Sequence, residues 1–540
     1  MSAAAALLLA VAAPTARCDG GAPVGLTVAI EGGEIRGISV GGEGGVAAFL
    51  GIPFAAPPTG ALRFRPPEPV EPWEGVRECV RFGPSCPQPV SAMSAAGGGA
   101  GEQSEDCLHL NVWTAAKRDD ERRPVMVWIH GGAFFLGSAS GTSYDGANLA
   151  RRGVVVVTVN YRLGPFGFLA HPELSKESPH GASGNWGLLD QIAALRWVKS
   201  NVARLGGDPG NVTIFGESAG AMSVSCLLVS PLARGLFHRA IAQSGAAIWM
   251  ARRLREPGLQ EESAEAAGVR VVQDLVGEAK DPIAAARAKS AQELLAAARP
   301  ALRLAGGGDG NSYGPVTDGW VLPDDPWLLF DEGRVNRVPL LIGTNADEGT
   351  LFVLQAPPVS SEEFEAEVRG LFGAAAGRLL DCYTLERHGD PRRARAAMLG
   401  DSTFVAPTRA QVRAVSQSGA PCFLYHFTRV SGAGPARELG AFHAAEIGYV
   451  FGRLESGILS RFDATDRRLS ATMMDYWVQF ARTGDPNRPG LPRWPAYVEE
   501  EDVHLEFGDE VKPGAWLRAE ECDLWDEVAA GWRARLRPGG

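Results

Sequence analysis

The 540-residue chain reads as an α/β layered protein, with one large, mostly parallel central sheet flanked by helices in a single domain over residues 25–535. Three observations predict this. Apolar runs at Val125 to Ile129, Val154 to Val159, Val212 to Phe215 and Val338 to Ile342 lack polar alternation, as expected of strands buried on both faces of a parallel sheet. Helical stretches lie between them, such as Leu188 to Leu205 after a Gly-Asn-Trp-Gly turn, and alternation of the two kinds builds layered α/β folds. The composition, 45% hydrophobic and 21% charged, suits a packed core rather than a disordered chain. The length alone would admit three or four domains, but no linker-like stretch divides the chain.

Met1 to Ala13 is almost entirely Ala, Leu and Val, like the apolar core of a signal peptide. Residues 1–24 are therefore expected to be an export signal, which would make the protein secreted or periplasmic. The alternative is a disordered Ala-rich tail on a cytoplasmic protein. No Lys or Arg precedes the apolar stretch, and Arg17 before Cys18 fits a lipoprotein site poorly. No later run of 18 apolar residues suggests a membrane span. Residues 92–101, rich in Ala, Ser and Gly, read as a flexible surface loop. Arg252 to Arg303 and Ser360 to Gly419 read as helical insertions capping the sheet.

The net charge is −11, which does not favour a polyanionic partner such as nucleic acid. Eight cysteines are too few for a disulfide scaffold. None forms a CxxC pair, and the nine histidines form no HExxH, so no zinc site is expected.

The chemistry concentrates in three places. Gly216-Glu217-Ser218-Ala219-Gly220 stands between the strand Val212 to Phe215 and the helical Ala221 to Leu228. This is G-x-S-x-G in the strand-turn-helix setting that gives the pattern meaning. A sharp turn there forces Ser218 into a strained backbone conformation, and small residues two positions away on either side avoid clashes. The Ser218 hydroxyl would then stand above the sheet beside a helix N-terminus whose N–H groups suit a developing oxyanion. His130-Gly131-Gly132-Ala133-Phe134-Phe135 follows the strand ending at Ile129. Its glycines would let backbone N–H groups approach a substrate closely. The expected order is serine, then acid, then histidine. Asp347 and Glu348 follow the strand Val338 to Ile342, and the residues alone do not separate these neighbours. His443 follows the strand Cys422 to Phe427. Its competitors are His238, read as helical, His388 in a charged turn, His426 in a strand, and His504 near the C-terminus.

Further segments complete a pattern. They are Gly51-Ile52-Pro53-Phe54-Ala55, Glu105-Asp106-Cys107-Leu108-His109-Leu110-Asn111-Val112, Asn160-Tyr161-Arg162-Leu163-Gly164, Gly184 to Gln191, Gln243-Ser244-Gly245 and Arg482-Thr483-Gly484-Asp485-Pro486-Asn487. With the Ser218 elbow and the Asp-Glu-Gly at 347–349, they resemble the type-B carboxylesterase and cholinesterase family of α/β-hydrolases, over about residues 25 to 530.

The resemblance implies an α/β-hydrolase fold and a serine esterase using Ser218, Glu348 and His443, with no cofactor and no metal. It implies oxyanion donors at Gly132, Ala133 and Ala219, with Ala133 replacing a third glycine found in many members. Glu217, Glu446 and Ser244 match positions near the triad, Ser244 as a buried hydrogen-bonding residue. Ion pairs Arg63–Glu105 and Arg162–Asp190 are implied, as is a disulfide between Cys86 and Cys107. Cys79, Cys226, Cys382 and Cys422 are expected to be free thiols, and Cys522 has no family partner because Ala406 stands in its place.

Between Cys86 and Cys107 there is no Trp, Tyr or Phe to bind a quaternary ammonium by cation–π attraction, so choline esters are not favoured. The segment before Tyr313 also lacks aromatics that would narrow an acyl pocket. The expected substrate is a small to medium carboxylic ester. A lipase, a specialised natural-product esterase or a non-catalytic adhesion protein is the alternative. The subunit number is not legible.

Overall fold

The structure, a computed structural model, describes residues 24–41, 45–90, 101–247, 252–257, 262–300, 311–354, 356–456 and 461–536. The expected leader at 1–24, apart from Val24, and nearly all of the Gly-rich loop lie outside the described residues, as does Cys18.

The centre is an 11-stranded sheet. Its strands are β1 (Ile38–Val40), β2 (Val46–Pro53), β3 (His109–Thr114), β4 (Arg123–Ile129), β5 (Val155–Val159), β6 (Gly207–Glu217), β7 (Arg239–Gln243), β8 (Leu340–Asn345), β9 (Cys422–Phe427), β10 (Val503–Phe507) and β11 (Val511–Ala515). The spatial order is β11-β10-β9-β8-β7-β6-β4-β5-β3-β2-β1. The run from β10 through β5 is parallel throughout. The strands at either edge are antiparallel. The sheet is therefore mixed, with the expected parallel portion confined to its middle.

The unalternating valine runs have a direct cause. Side chains along a strand point to opposite faces in turn, and both faces of these strands are covered. Val125, Val127 and Ile129 of β4 join one core cluster, while Met126 and Trp128 join the other. In β5, Val155, Val157 and Val159 face the first and Val156 the second. Helices α1 (Trp186–Asn201) and α2 (Ala219–Val229) build the first layer, and α7 (Ala464–Thr483) the second.

The first helical insertion contains α3 (Ala264–Val276) and two shorter helices. The second contains α4 (Ser361–Phe372), α5 (Pro391–Gly400) and α6 (Ala406–Gln417), and the chain closes on α8 (Ala519–Leu536). One departure is His238, which is not helical. It sits just before β7, where its backbone N–H donates to Val212 O at 2.7 Å and its ring accepts from Val212 N at 3.1 Å.

Both expected ion pairs are present. Arg162 grips buried Asp190 at 2.8 and 2.7 Å, and Arg63 donates to Glu105 at 2.7 Å. No helix among the described residues is long and apolar enough to cross a membrane.

Candidate active site

The parallel register brings four strand ends to one level. Ile129 of β4 pairs with Gly216 of β6, Glu217 of β6 with Gln243 of β7, and Gln243 with Gly343 of β8. The turns leaving these strands therefore meet at the carboxyl edge of the sheet, where open α/β sheets place their sites.

Ser218 caps α2 with φ 55° and ψ −122°, a conformation costing on the order of 1–3 kcal/mol. Its N–H donates to Gln243 O at 2.9 Å, and its carbonyl accepts from Met222 N at 2.9 Å. The flanking glycines are a steric requirement. A β-carbon at Gly216 would lie 2.6 Å from Ile129 O, and one at Gly220 only 2.0 Å from the same atom. Without them α2 could not press against β4.

The loop after β4 lies against this turn. A β-carbon placed on Gly131 would stand 3.1 Å from the Ser218 β-carbon. The loop curls on itself, with Leu136 N donating to Gly132 O at 2.9 Å. Its left-handed residues include Ala133 at φ 53° and Phe134 at φ 61°. Ala133 thus carries strain that a glycine would not. Among the described residues, the amides of Gly132, Ala133 and Ala219 donate no hydrogen bond within the protein. His130 is buried, and burial lowers its pKa to about 4. Its ring stacks on Tyr161 at 4.5 Å, and the Tyr161 hydroxyl donates to His130 O at 2.9 Å.

The adjacent carboxylates after β8 go separate ways. Glu348 Oε2 meets His443 Nδ1 at 2.6 Å, while Glu348 Oε1 accepts from Asn345 N at 2.7 Å. Asp347 instead accepts from Ala441 N at 2.8 Å. Burial, opposed by that bond, raises the Asp347 carboxyl. His388, His426 and His504 are left out of this cluster. His426 and His504 face each other at 6.1 Å, and burial pushes His426 down to about 3.

His443 Nε2 lies 3.0 Å from Glu217 Oε1, close enough for ionic attraction but not aligned as a hydrogen bond. No hydrogen bond joins Ser218 to His443 among the described residues. Glu217 is the residue preceding Ser218, so the imidazole stands beside the Ser218 turn. Burial disfavours the His443 imidazolium, but the carboxylates of Glu217 and Glu348 outweigh it and raise the pKa to about 9. Burial, helped by Glu446 and Glu348 and opposed by His443, pushes Glu217 up to about 8.

Glu446 is fully buried and accepts from Gln243 Nε2 at 3.0 Å and Asn345 Nδ2 at 2.7 Å. Burial raises its carboxyl, against the Asn345 hydrogen bond. Ser244 is buried with φ 52° and donates its N–H to Gly343 O at 2.8 Å. Its hydroxyl lies beside the Tyr425 phenol without an aligned hydrogen bond.

No motif marks Phe404 in the sequence. It stands on a π-helical turn, Asp401–Val405, a distortion frequent at functional sites. Its ring lies 4.5 Å from the His443 ring, with Phe352 at 5.0 Å. The second helical insertion therefore reaches the imidazole.

The expected Cys86–Cys107 disulfide is not formed. Both are buried free thiols. They meet as neighbours, and the Cys86 sulfur, with burial, holds the Cys107 thiol well above its ordinary range. Leu163 N donates to Cys86 Sγ at 3.2 Å. Cys79, Cys226, Cys382, Cys422 and Cys522 are also free and buried. No group of three or more metal-ligating side chains occurs among the described residues.

A strained serine at a strand-helix turn, an imidazole held by a buried glutamate and uncommitted amides on a neighbouring loop are the parts of a serine hydrolase. Residues 25–525 match the model of the carboxylesterase family. The chain belongs to that family. It is 39% identical over 493 residues to fumonisin B1 esterase of Sphingopyxis macrogoltabida, covering 90% of this chain and 87% of that protein. It is 40% identical over 490 residues to para-nitrobenzyl esterase of Bacillus subtilis, covering 89% and 94%. A solved structure of PNB esterase superimposes with a TM-score of 0.78 at 37% identity, covering 92% of this chain and 99% of that one. The fold is the α/β-hydrolase fold, and the protein is a carboxylesterase that acts on small-molecule esters as a serine hydrolase.

Proposed function

We propose that this carboxylesterase cleaves small to medium acyl esters by two-step acyl transfer through Ser218, His443 and Glu348. The observation that carries the reading is the 2.6 Å contact between His443 Nδ1 and Glu348 Oε2 at the sheet edge that also holds Ser218. In the neutral imidazole, Glu348 fixes the tautomer with hydrogen on Nδ1, and the Nε2 lone pair is then the base. Ser218 Oγ gives its proton to Nε2 and attacks the ester carbonyl. The tetrahedral oxyanion rests on the N–H groups of Gly132, Ala133 and Ala219. His443 then returns the proton to the leaving alcohol, and water repeats both steps on the acyl-enzyme.

In its ionised form, Glu217 stabilises the imidazolium from the Nε2 side, opposite to Glu348. The absence of an aromatic side chain between Cys86 and Cys107 supports a general ester over a choline ester. Export, with oxidation of the neighbouring Cys86 and Cys107 thiols to a disulfide in an oxidising compartment, is part of the same proposal.

The test is a panel of p-nitrophenyl and choline esters of graded acyl length, run with the wild type and Ser218→Ala. Turnover of short and medium aryl esters, lost in Ser218→Ala, is expected. Wild-type turnover by Ser218→Ala, or a preference for choline esters, overturns the reading.

A further inference from the structure

Gln88 lies two residues beyond Cys86 and is 2% exposed. Its side-chain amide is committed at both ends to one glycine. Nε2 donates to Gly137 O at 2.9 Å, and Oε1 accepts from Gly137 N at 2.8 Å. Nε2 also donates to Cys86 O at 3.0 Å, and the Gln88 backbone N–H donates to Gln103 Oε1 at 3.0 Å. The amide is thereby held on its own side of the contact before it meets Gly137. Such a pair mimics one rung of an antiparallel ladder and fixes its partner in position and orientation.

Gly137 closes the loop that begins at His130. Its φ is 107°, and a β-carbon there would lie 2.5 Å from His130 Nδ1 and 2.6 Å from Gly131 O. The residue before it, Leu136, is tied back to Gly132 O. Any displacement of Gly137 is therefore passed by direct contact to His130 and Gly131, and by one hydrogen bond to Gly132.

We propose that Gln88 is a positioning residue for ester hydrolysis, setting the oxyanion loop through its two hydrogen bonds to Gly137. It touches no substrate and acts on the N–H groups of Gly132 and Ala133 through the loop's closed geometry. The inference rests on the reading of that loop as the oxyanion site. The clamp belongs to the segment that starts at Cys86, so the cysteine loop has a mechanical route to the catalytic centre.

The test replaces Gln88 in the full chain. Gln88→Met keeps the length and removes both hydrogen bonds. Gln88→Asn keeps the amide but withdraws it by one methylene. Steady-state kinetics on a p-nitrophenyl ester are measured, with the affinity of a trifluoromethyl ketone that adds to the serine and places an oxyanion in the site, and with thermal unfolding to confirm folded enzyme at the assay temperature. The expected result is a fall in kcat of about 10- to 100-fold with KM within about threefold, and a parallel loss of ketone affinity. Gln88→Asn should be the milder of the two and remains available if Gln88→Met does not fold. Unchanged kcat and ketone affinity in folded Gln88→Asn and Gln88→Met overturn the proposal. A rise in KM alone overturns it as well. Ser218→Ala run alongside separates the two levels. If it retains turnover, the parent reading fails; if it is inactive while the Gln88 variants are unimpaired, only the clamp fails.

Discussion

Replacing Glu348 by Gln changes one oxygen to NH2, and the structure gives neither orientation of the amide a good fit. The carboxylate serves two N–H donors at once, the His443 Nδ1–H at 2.6 Å and the Asn345 backbone N–H at 2.7 Å. If the amide turns its oxygen to His443, its NH2 faces the Asn345 N–H, two donors in a buried site. If it turns its oxygen to Asn345, its NH2 donates to His443 Nδ1, and the hydrogen moves to Nε2, where Ser218 needs a base. Loss of the correct tautomer in a serine triad costs about 10^4 in kcat, equivalent to roughly 5.4 kcal/mol at 1.36 kcal/mol per decade. Asp347→Asn is the control, because Asp347 serves the Ala441 N–H and not the imidazole. It should cost about 1–3 kcal/mol of stability and leave kcat within tenfold. Initial rates with p-nitrophenyl butyrate, paired with thermal unfolding, separate the two. Glu348→Gln within tenfold of wild type, with Asp347→Asn reduced a thousandfold, would refute the assignment.

Two further outcomes follow from the buried charges. The Glu217 carboxylate is the strongest of the charges that raise His443, so Glu217→Gln should shift the acid limb of the kcat/KM–pH profile to lower pH; a limb that stays or moves up contradicts the electrostatic account. His426 is held at about 3 in the folded state against about 6.5 unfolded. The unfolded chain therefore binds the proton first, and the stability carried by neutral His426 is complete above about pH 6.5 and lost as pH falls from there toward 3. Between pH 7 and 4.5, His426→Phe should lose roughly 1–3 kcal/mol less stability than wild type in denaturant titrations, and an equal loss in both proteins would refute this.

The sheet was legible because its chemistry is local. Val154 to Val159 announces burial on both faces within six positions, and Cys422 to Phe427 is a similarly apolar run. The elbow was legible for the same reason, since Gly216 and Gly220 must both be small to let α2 meet Ile129 O. The antiparallel edges were not foreseen, because pairing direction depends on partners far along the chain. The neighbours Asp347 and Glu348 were inseparable by the residues alone and were assigned only through the family resemblance. Their roles are set by Ala441 and His443, almost a hundred positions away. Shorter but still non-local separations hid Phe404, which meets His443, and Gln88, 49 positions from Gly137. Phe404 reaches the imidazole from a π-helical turn in an insertion, and Gln88 acts on backbone atoms of Gly137, which leave no side-chain pattern to read. The Cys86–Cys107 disulfide was implied only by the family resemblance, and the structure has both as free thiols.

Covalent labelling shows whether Ser218 is the activated nucleophile. A fluorophosphonate probe incubated with the folded enzyme, followed by peptide mass spectrometry, should add one phosphonyl group on the peptide containing Gly216 to Gly220, at Ser218. Labelling should be abolished in Ser218→Ala and slowed in Glu348→Gln. Modification at another residue, or an enzyme that hydrolyses esters while Ser218 stays unlabelled, would contradict it.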